Sequence, residues 1–395
     1  DMKANHLQSL GIAIFSTFAI VSCSSNTSTS SERENSSLEG SYELFKVDSL
    51  IVPVLEPLQI TDYNPKTKRF LAYGTQSKAC MEIDAEGNVL ASVDLTGEGP
   101  GHFGEGMTEL GYLGDDIIIN GPNAYFTFDK NWSYKERIVY TSGGAFYPLG
   151  FISGAPETFI KNGVAKIIKP IDHTFFGSRV LSNDYFSTAF LTEYISSQTQ
   201  ESESVISYPE GTVYLSNTTF YPSPNAKISY NASASRLYVT LPLTPKLFVY
   251  DVDKNFELEK TLELDLKDFK EPRGIAFDDQ SKRGPDNYRL SSVYDYLNSS
   301  IYEISSEGDI TMVTYDTGVE GNEHVSTFKE ISSIAKTESK VMTAFFLGDK
   351  KVLEMEKWFL KSVRISETKF LAHYVNEEEE LDYNKFYIYE LKKVK

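Results

Sequence analysis

Paired strand patterns that recur along the chain are the feature that most constrains its fold. From about residue 41 onward, alternating apolar and polar segments come in pairs joined by a short polar turn. No long segment carries an apolar period of about 3.6 residues, so the pattern predicts β-hairpins rather than helices. The predicted hairpins span 79–95, 124–140, 246–264, 300–316 and 343–358, with a weaker one at 186–208 and a further strand at 385–394.

The spacing of these hairpins, roughly 40–60 residues, predicts an all-β fold consisting of a single β-propeller over residues 41–395. The chain contains 25 Tyr and 25 Phe, which pack well on pleated strands. The strand predicted at 41–53 has no hairpin partner, so we expect it to pair with 385–394 and close the ring. Counting hairpins gives six or seven blades. The alternative, a pair of β-sandwiches, needs a central linker, and the best candidate, 221–227, is short.

The N-terminal region carries the pattern of a secretory signal. Met2 and Lys3 precede an apolar stretch from Leu10 to Ser22, followed by Cys23. A short positive region, an apolar core and a small-residue cleavage site are typical of signal peptides. The stretch is too short for a transmembrane helix, which needs about 20 apolar residues. We therefore predict a signal peptide at 1–22, with a buried N-terminal helix as the alternative.

The end of this signal predicts a lipid anchor. Ile20-Val21-Ser22-Cys23 fits a bacterial lipobox, in which Cys23 would carry the lipid. The following segment, 23–40, is rich in Ser, Thr and Asn, which suits a flexible tether. The expected location is the bacterial cell envelope, anchored to the membrane through Cys23. The protein could then lie at the outer membrane, in the periplasm or on the cell surface.

Three segments give the chain a resemblance to a known family. The lipobox pattern precedes a low-complexity tether, the stretch LTGEGPGHFGEG (95–106) follows a strand, and the aromatic segment 288–318 contains an I-Y-x-I strand. In these features the chain resembles bacterial lipoproteins with a six-bladed β-propeller of the TolB-like or NHL-like kind, many of unknown function. The resemblance favours six blades and brings no catalytic residues. His102 stands where that family has an acidic or amide residue.

The glycine-rich stretch GEGPGHFGEG (97–106) is the most unusual in the sequence. It lacks the Lys-Ser/Thr of a phosphate-binding Walker loop, and no helix of a dinucleotide-binding unit follows it. Its glycines allow positive φ angles, so we interpret it as a sharp corner between blades, with Phe103 anchored in the next sheet. The alternative is a ligand-contacting rim loop, for which Glu98, His102 and Phe103 are the candidate ligand-binding residues.

Two further patterns resemble metal sites only in part. The segment DVDKNFE (251–257) has the first carboxylates of a calcium loop but lacks its glycine and its final glutamate, so we predict a hairpin tip. The histidines of the mature chain lie far apart and lack metal-binding spacing. They are His102, His173, His324 and His373. We therefore predict no metal and no cofactor, although distant residues could still converge on a propeller axis.

The remaining candidates lead to two hypotheses for function. The formal net charge of −18 argues against a nucleic-acid partner. Cys80 lies in an apolar strand and is interpreted as a packing residue. We expect a binding or scaffold module for a protein, peptide or glycan, without assigned catalytic residues. The alternative is an exported hydrolase or lyase with a metal- or histidine-based site on the channel axis, to which Asp115, Asp116 or Asp172 could contribute. The residues that line the channel should distinguish these hypotheses.

Overall fold

The computed structural model describes residues 41–104, 106–122, 124–140, 154–171, 185–216, 218–220, 225–276, 293–320, 338–356, 362–373 and 382–394. These residues belong to one compact unit, Gly40–Lys395. The predicted signal peptide, Cys23 and the tether lie outside the described residues. Within the described ranges, no helix is both long and apolar enough to cross a membrane.

Strands dominate the described residues. They are β1 (Ser41–Val52), β2 (Leu58–Asn64), β3 (Arg69–Gly74), β4 (Cys80–Ile83), β5 (Val89–Val93), β6 (Glu109–Leu113), β7 (Asp116–Asn120), β8 (Ala124–Phe128), β9 (Tyr134–Val139), β10 (Glu157–Lys161), β11 (Val164–Pro170), β12 (Phe190–Ser196), β13 (Ser202–Ser207), β14 (Thr218–Phe220), β15 (Lys227–Asn231), β16 (Arg236–Leu241), β17 (Thr244–Asp251), β18 (Glu257–Glu263), β19 (Gly274–Ala276), β20 (Ser300–Glu307), β21 (Ile310–Asp316), β22 (Val341–Leu347), β23 (Lys350–Glu356), β24 (Val363–Arg364), β25 (Lys369–His373) and β26 (Asn384–Val394). A short helix, α1 (Tyr185–Thr188), and a 3-10 helix (Val213–Leu215) join them.

Six four-stranded antiparallel sheets form a ring, which confirms the six-bladed β-propeller. Blades 1 to 5 are β2–β5, β6–β9, β10–β13, β15–β18 and β20–β23, and blade 6 has the order β1-β26-β25-β24. Strands β14 and β19 form a separate two-stranded sheet. The inner strands are the first strands of blades 1 to 5 and β24 of blade 6. Neighbouring inner strands such as β2 and β6, β15 and β20, and β2 and β24 contact each other, so they surround the central channel.

The N-terminal strand closes the ring as predicted. Strand β1 pairs antiparallel with β26, from Ser41 opposite Val394 to Val52 opposite Asn384. Blade 6 is therefore built from both ends of the described chain. This pairing covers the edge of β26 that would otherwise be open to other chains.

The predicted hairpins are all present, but two of them belong to one blade. The segments 300–316 and 343–358 form the first and second halves of blade 5, because β21 pairs with β22 across a long connection. Counting these halves as separate blades, together with the other four hairpins and the closing pair of terminal strands, gives seven blades, whereas the ring has six. A long insertion inside a blade thus resembles a boundary between blades in the sequence.

Three hairpin tips share one turn chemistry. The side chains of Asp84, Asp129 and Asp251 each accept two backbone N–H bonds from the residues that follow. Such Asx-type bonds fix a tight turn without a metal. The segment DVDKNFE is therefore the tip of the β17–β18 hairpin, as predicted, and Phe256 turns into the core.

The core is divided among the contacts between neighbouring blades. Six apolar clusters of described residues occupy the six junctions around the ring. At the junction of blades 1 and 2, Leu71 and Cys80 pack against Leu110 and Phe126. Cys80 is fully buried and burial raises the pKa of its thiol, so it is a packing residue as interpreted from the sequence.

The glycine-rich stretch is the corner that leads from β5, the outer strand of blade 1, to β6, the inner strand of blade 2. Gly97 and Gly104 pair through two backbone hydrogen bonds of 2.9 and 3.1 Å, which hold the two ends of the loop together. Both have positive φ angles, of 102° and 87°. Phe103 is 2 % exposed and packs in the core between blades 1 and 2. The corner interpretation is confirmed.

Candidate functional site

The central channel holds two joined cavities of about 670 and 390 Å³. Lower-numbered residues of each inner strand line the narrower cavity, and higher-numbered residues line the wider one. We define the channel waist as the residues that line both. They are Asp62, Ala155, Glu157, Ser229, Ser305 and Arg364. The waist thus combines two acids and one guanidinium in a polar, solvent-accessible space.

Asp62, on β2, is held by backbone groups of two blades. Its Oδ1 accepts the N–H of Tyr63 at 2.7 Å, and its Oδ2 accepts the N–H of Tyr112 at 2.7 Å. Burial nevertheless raises the pKa of Asp62 to about 6, and these two bonds oppose that shift. The carboxyl group therefore has a fixed orientation and is mostly ionised at neutral pH.

Gly111, on β6, makes the position of Asp62 possible. A Cβ atom at Gly111 would lie 2.8 Å from Ala155 Cβ, 2.9 Å from Pro156 Cδ and 3.1 Å from Asp62 Oδ2. Blade 2 thus presents only backbone at this position, where residues of blades 1 and 3 lie within 3.1 Å of the missing Cβ. The missing side chain lets the Asp62 carboxylate reach the backbone of blade 2.

Glu157, on β10, faces the channel with one oxygen committed to the protein. Its Oε2 accepts the N–H of Tyr230 at 2.9 Å, whereas Oε1 has no hydrogen-bond partner among the described residues. Burial raises the pKa of Glu157 to about 8, assisted by the negative charges of Asp62, Glu109 and Glu307. At neutral pH this side chain is mostly a neutral acid that can donate as well as accept a hydrogen bond.

Arg364, on β24, supplies the positive charge of the waist. Its Nε donates to Ser305 Oγ at 2.9 Å, its Nη2 to the Ser305 carbonyl at 2.7 Å, and its Nη1 to the Glu367 carbonyl at 2.7 Å. The guanidinium also lies over the Phe370 ring, 4.6 Å from its centroid. Burial lowers the pKa of Arg364 to about 10, which leaves it protonated at neutral pH. Among the described residues, no carboxylate lies within ion-pair distance of it.

The raised pKa of Glu157 predicts a pH-dependent gain in stability for Glu157→Gln. The folded chain loses this proton near pH 8, whereas the ordinary value is 4.5, so the folded state holds more protons between these pH values. The contribution of Glu157 to the free energy of unfolding is therefore full below pH 4.5 and is lost as the pH rises through 8. In thermal unfolding, we expect the variant to match the wild type near pH 4.5 and to exceed its Tm by about 3 °C at pH 9.

The control for this variant is Glu257→Gln, at an exposed glutamate on β18. Its Tm difference from the wild type should stay constant over the same pH range. A Glu157→Gln difference that is equally constant, or that reverses at high pH, would show that Glu157 is not held in its neutral form by burial.

The residues proposed from the sequence as ligand contacts lie in the glycine-rich corner rather than in the channel lining. His102 Nδ1 is 2.8 Å from the carbonyl oxygen of Thr96, which fixes the imidazole within the loop. Phe103 is buried between the blades, and Glu98 is exposed. None of the three is among the residues that line the two channel cavities.

The other candidates from the sequence do not converge. Asp115 and Asp116 form separate surface ion pairs, with Lys66 at 2.9 Å and Lys135 at 2.5 Å. His373 packs against the Phe386 ring within blade 6. Asp172, His173 and His324 lie outside the described residues. Across the described ranges, no group of three or more His, Cys, Asp or Glu side chains is arranged to hold a metal ion.

An internal repeat marks the inner strands that carry part of the waist. Asp62 is followed by Tyr-Asn-x4-Arg (63–69), and Ser229 is followed by the same pattern (230–236). In both copies the asparagine Nδ2 donates to a glycine carbonyl of the next blade, at 3.4 Å to Gly114 and 2.8 Å to Gly308. Aligning these two blades would have indicated from sequence that positions 62 and 229 are equivalent. Arg364 and Glu157 carry no such signal.

Comparisons with known proteins support the architecture. No family model and no curated protein matches the chain. A crystal structure of a member of the DUF4221 family from Bacteroides vulgatus is similar, with a TM-score of 0.63 and 13% identity over 90% of this chain and 100% of that one. A candidate exported protein of Bacteroides fragilis has a TM-score of 0.50 and 10% identity over 90% and 96%. At these identities the likeness shows the fold alone: this chain shares its propeller with bacterial proteins.

Proposed function

We propose that this protein is an exported, lipid-anchored binding or scaffold module whose central channel receives part of a protein, peptide or glycan partner. The observation that carries the proposal is the channel waist. Asp62 and Arg364 are fixed by hydrogen bonds to the protein and still face a solvent-accessible cavity. Oriented polar groups in a concave pocket are typical of ligand sites.

The export and the lipid anchor rest on separate support. The apolar stretch before Cys23 fits a lipoprotein signal. The Bacteroides fragilis neighbour is a candidate exported protein with the same fold. A propeller held by a tether outside the cytoplasm would present its channel to molecules of the envelope or the surroundings.

The chemistry of the channel favours binding over the alternative of a metal- or histidine-based hydrolase or lyase. The lining residues in the described ranges include acids, an arginine, serines and tyrosines, but no histidine. The waist presents carboxyl groups and a guanidinium, whose positions are fixed by hydrogen bonds to the protein. It therefore suits recognition of a ligand by ionic and hydrogen-bonding groups.

Blocking the wide cavity tests this function. Ala232 is exposed and lines that cavity, and no side-chain hydrogen bond is lost when it is replaced. Ala85 is its matched control, because it is also an exposed turn alanine but lies at the outer hairpin of blade 1. On peptide and glycan arrays, the wild type and Ala85→Trp should bind the same members, and Ala232→Trp should bind them at least about tenfold more weakly. Unchanged binding by Ala232→Trp, or no binding by the wild type, would contradict a channel site.

The lipid anchor gives an independent prediction. Replacing Cys23 with alanine removes the only atom that the predicted lipobox would acylate, so the protein should move from the membrane fraction to the soluble envelope fraction. Membrane fractionation of bacteria expressing the wild type and Cys23→Ala measures this. Cys80→Ala is the control, since Cys80 is buried in the propeller. Retention of Cys23→Ala in the membrane fraction would show that the lipobox prediction is wrong.

A further inference from the structure

The charges of the waist restrict the class of ligand that fits the channel. Arg364 and Glu157 come from blades 6 and 3, which are opposite in a six-membered ring. Asp62 comes from blade 1, next to Arg364 in the ring. A ligand that reaches the waist therefore meets a guanidinium and two carboxyl groups, which come from three different blades.

Arg364 has bonding capacity that the described protein does not use. A guanidinium carries one N–H on Nε and two on each Nη. The three bonds to Ser305 and Glu367 use one hydrogen on each nitrogen, so one N–H on each Nη has no acceptor among the described residues. Two such donors in one plane match the two oxygens of a carboxylate. Arg364 borders both cavities, so a ligand in either one can approach it.

The acids of the waist have matching unused acceptors. Glu157 Oε1 has no hydrogen-bond partner among the described residues. Asp62 uses one lone pair on each oxygen for a backbone N–H, and a carboxylate oxygen can accept a second bond. Both groups therefore can bind an ammonium or another N–H donor. Their geometry is fixed before a ligand arrives, which lowers the entropic cost of binding.

The rest of the channel argues against a ligand with negative charge only. Four further acids line the cavities, against the single further cation Lys227 among the described lining residues. They are Glu109, Glu303, Glu307 and Glu367. An anion attracted by Arg364 would be repelled by these acids. A purely cationic ligand would leave the Arg364 charge buried and without a counter-ion, which is costly. A ligand that carries both charges satisfies both sides.

We propose that the channel waist binds zwitterionic amino acids or short peptides with free termini, the carboxylate on Arg364 and the ammonium between Asp62 and Glu157. This inference rests on the proposed binding function and names its ligand class. It assigns Arg364 to recognition of the C-terminal carboxylate and Glu157 to recognition of the N-terminal ammonium.

Calorimetric titration of the full chain with glycine, diglycine and triglycine tests the proposal, with N-acetyltriglycine and triglycinamide as single-charge controls. At pH 8 we expect one of the free peptides to bind, and we expect removal of either of its terminal charges to weaken binding about tenfold or more. In Arg364→Gln the free acid and the amide should bind alike. In Glu157→Gln the preference for the free amine over the acetylated peptide should become smaller, while Asp62 retains part of it.

The ligand series on the wild type needs no variant, so it remains decisive if Arg364→Gln fails to fold. Equal binding of triglycine, its amide and its acetyl form would overturn the proposal. If no member of the series binds but array ligands bind in a manner sensitive to Ala232→Trp, this ligand class is wrong and the binding function stands. If no ligand is sensitive to Ala232→Trp, the binding function itself fails.

Discussion

Replacing Asn384 with alanine is expected to destabilise the propeller by about 2–4 kcal/mol. Asn384 is buried at the start of β26 and holds the segment that passes from blade 6 to blade 1. Its Oδ1 accepts the N–H of Leu58 at 3.0 Å, and its Nδ2 donates to the carbonyls of Val54 and Glu56, both at 2.8 Å. Alanine would leave three backbone groups without partners. Urea unfolding of the two proteins measures the loss.

Two companion variants make this result specific. Asn131→Ala, at an exposed hairpin tip, should change the free energy of unfolding by less than about 0.5 kcal/mol. Asn384→Asp keeps the acceptor for Leu58 but removes both donors, so it should be destabilised at pH 7 and recover partly in acid, where a protonated carboxyl donates one bond. An Asn384→Ala protein as stable as Asn131→Ala would show that the three hydrogen bonds of the Asn384 side chain contribute nothing to the stability of the closed ring.

Replacing Gly87 with alanine is expected to cost about 3 kcal/mol, because two penalties add there. Gly87 lies in the β4–β5 turn with a φ angle of 91°, where an alanine is strained. Its Cβ would also lie 1.9 Å from the carbonyl oxygen of Ile51, on β1. That backbone atom can move away only if β1 shifts. Urea unfolding, combined with hydrogen exchange of the β1 amides, measures both effects.

Gly348 separates the two penalties. It has a φ angle of 55° in the β22–β23 turn, and a Cβ there would meet no atom within 4 Å. Gly348→Ala should therefore cost only about 1 kcal/mol and leave the exchange of β1 amides unchanged. Equal losses in the two variants would show that the turn of blade 1 does not support β1 through close contact.

Most of the fold could be predicted from the sequence because strand alternation and turn chemistry are local. The hairpin at 246–264 shows this, since alternating residues flank an Asp-rich turn and the structure has β17 and β18 there. The pairing of β1 with β26 could also be predicted, because neither strand has a hairpin partner in the sequence and pairing them closes the ring without leaving open strand edges. The number of blades was harder to predict, because the long connection between β21 and β22 separates the two hairpins of blade 5 and resembles a boundary between blades.

The charged pair Glu157 and Arg364 of the candidate site could not be predicted because neither residue belongs to a local pattern. Glu157 and Arg364 lie on short inner strands and meet only when the ring is formed. The conspicuous GEGPGHFGEG stretch drew attention to His102, yet its glycines serve the geometry of a corner. In this protein the residues that stand out in the sequence shape the backbone, and the residues that face the channel look ordinary. Only the repeat that follows Asp62 and Ser229 offered a sequence signal for the inner strands.

The composition of blade 6 also sets an order of assembly. Blades 1 to 5 each consist of consecutive strands, so each can form once its own segment has been made. Strand β1 must wait for β26, which pairs with it from the far end of the described chain. Contacts of such large sequence separation form slowly, because a long loop has to close first. Arg364 and Asp62, in blades 6 and 1, therefore line the same channel only after this last step, so a channel that can bind its ligand shows that the ring has closed.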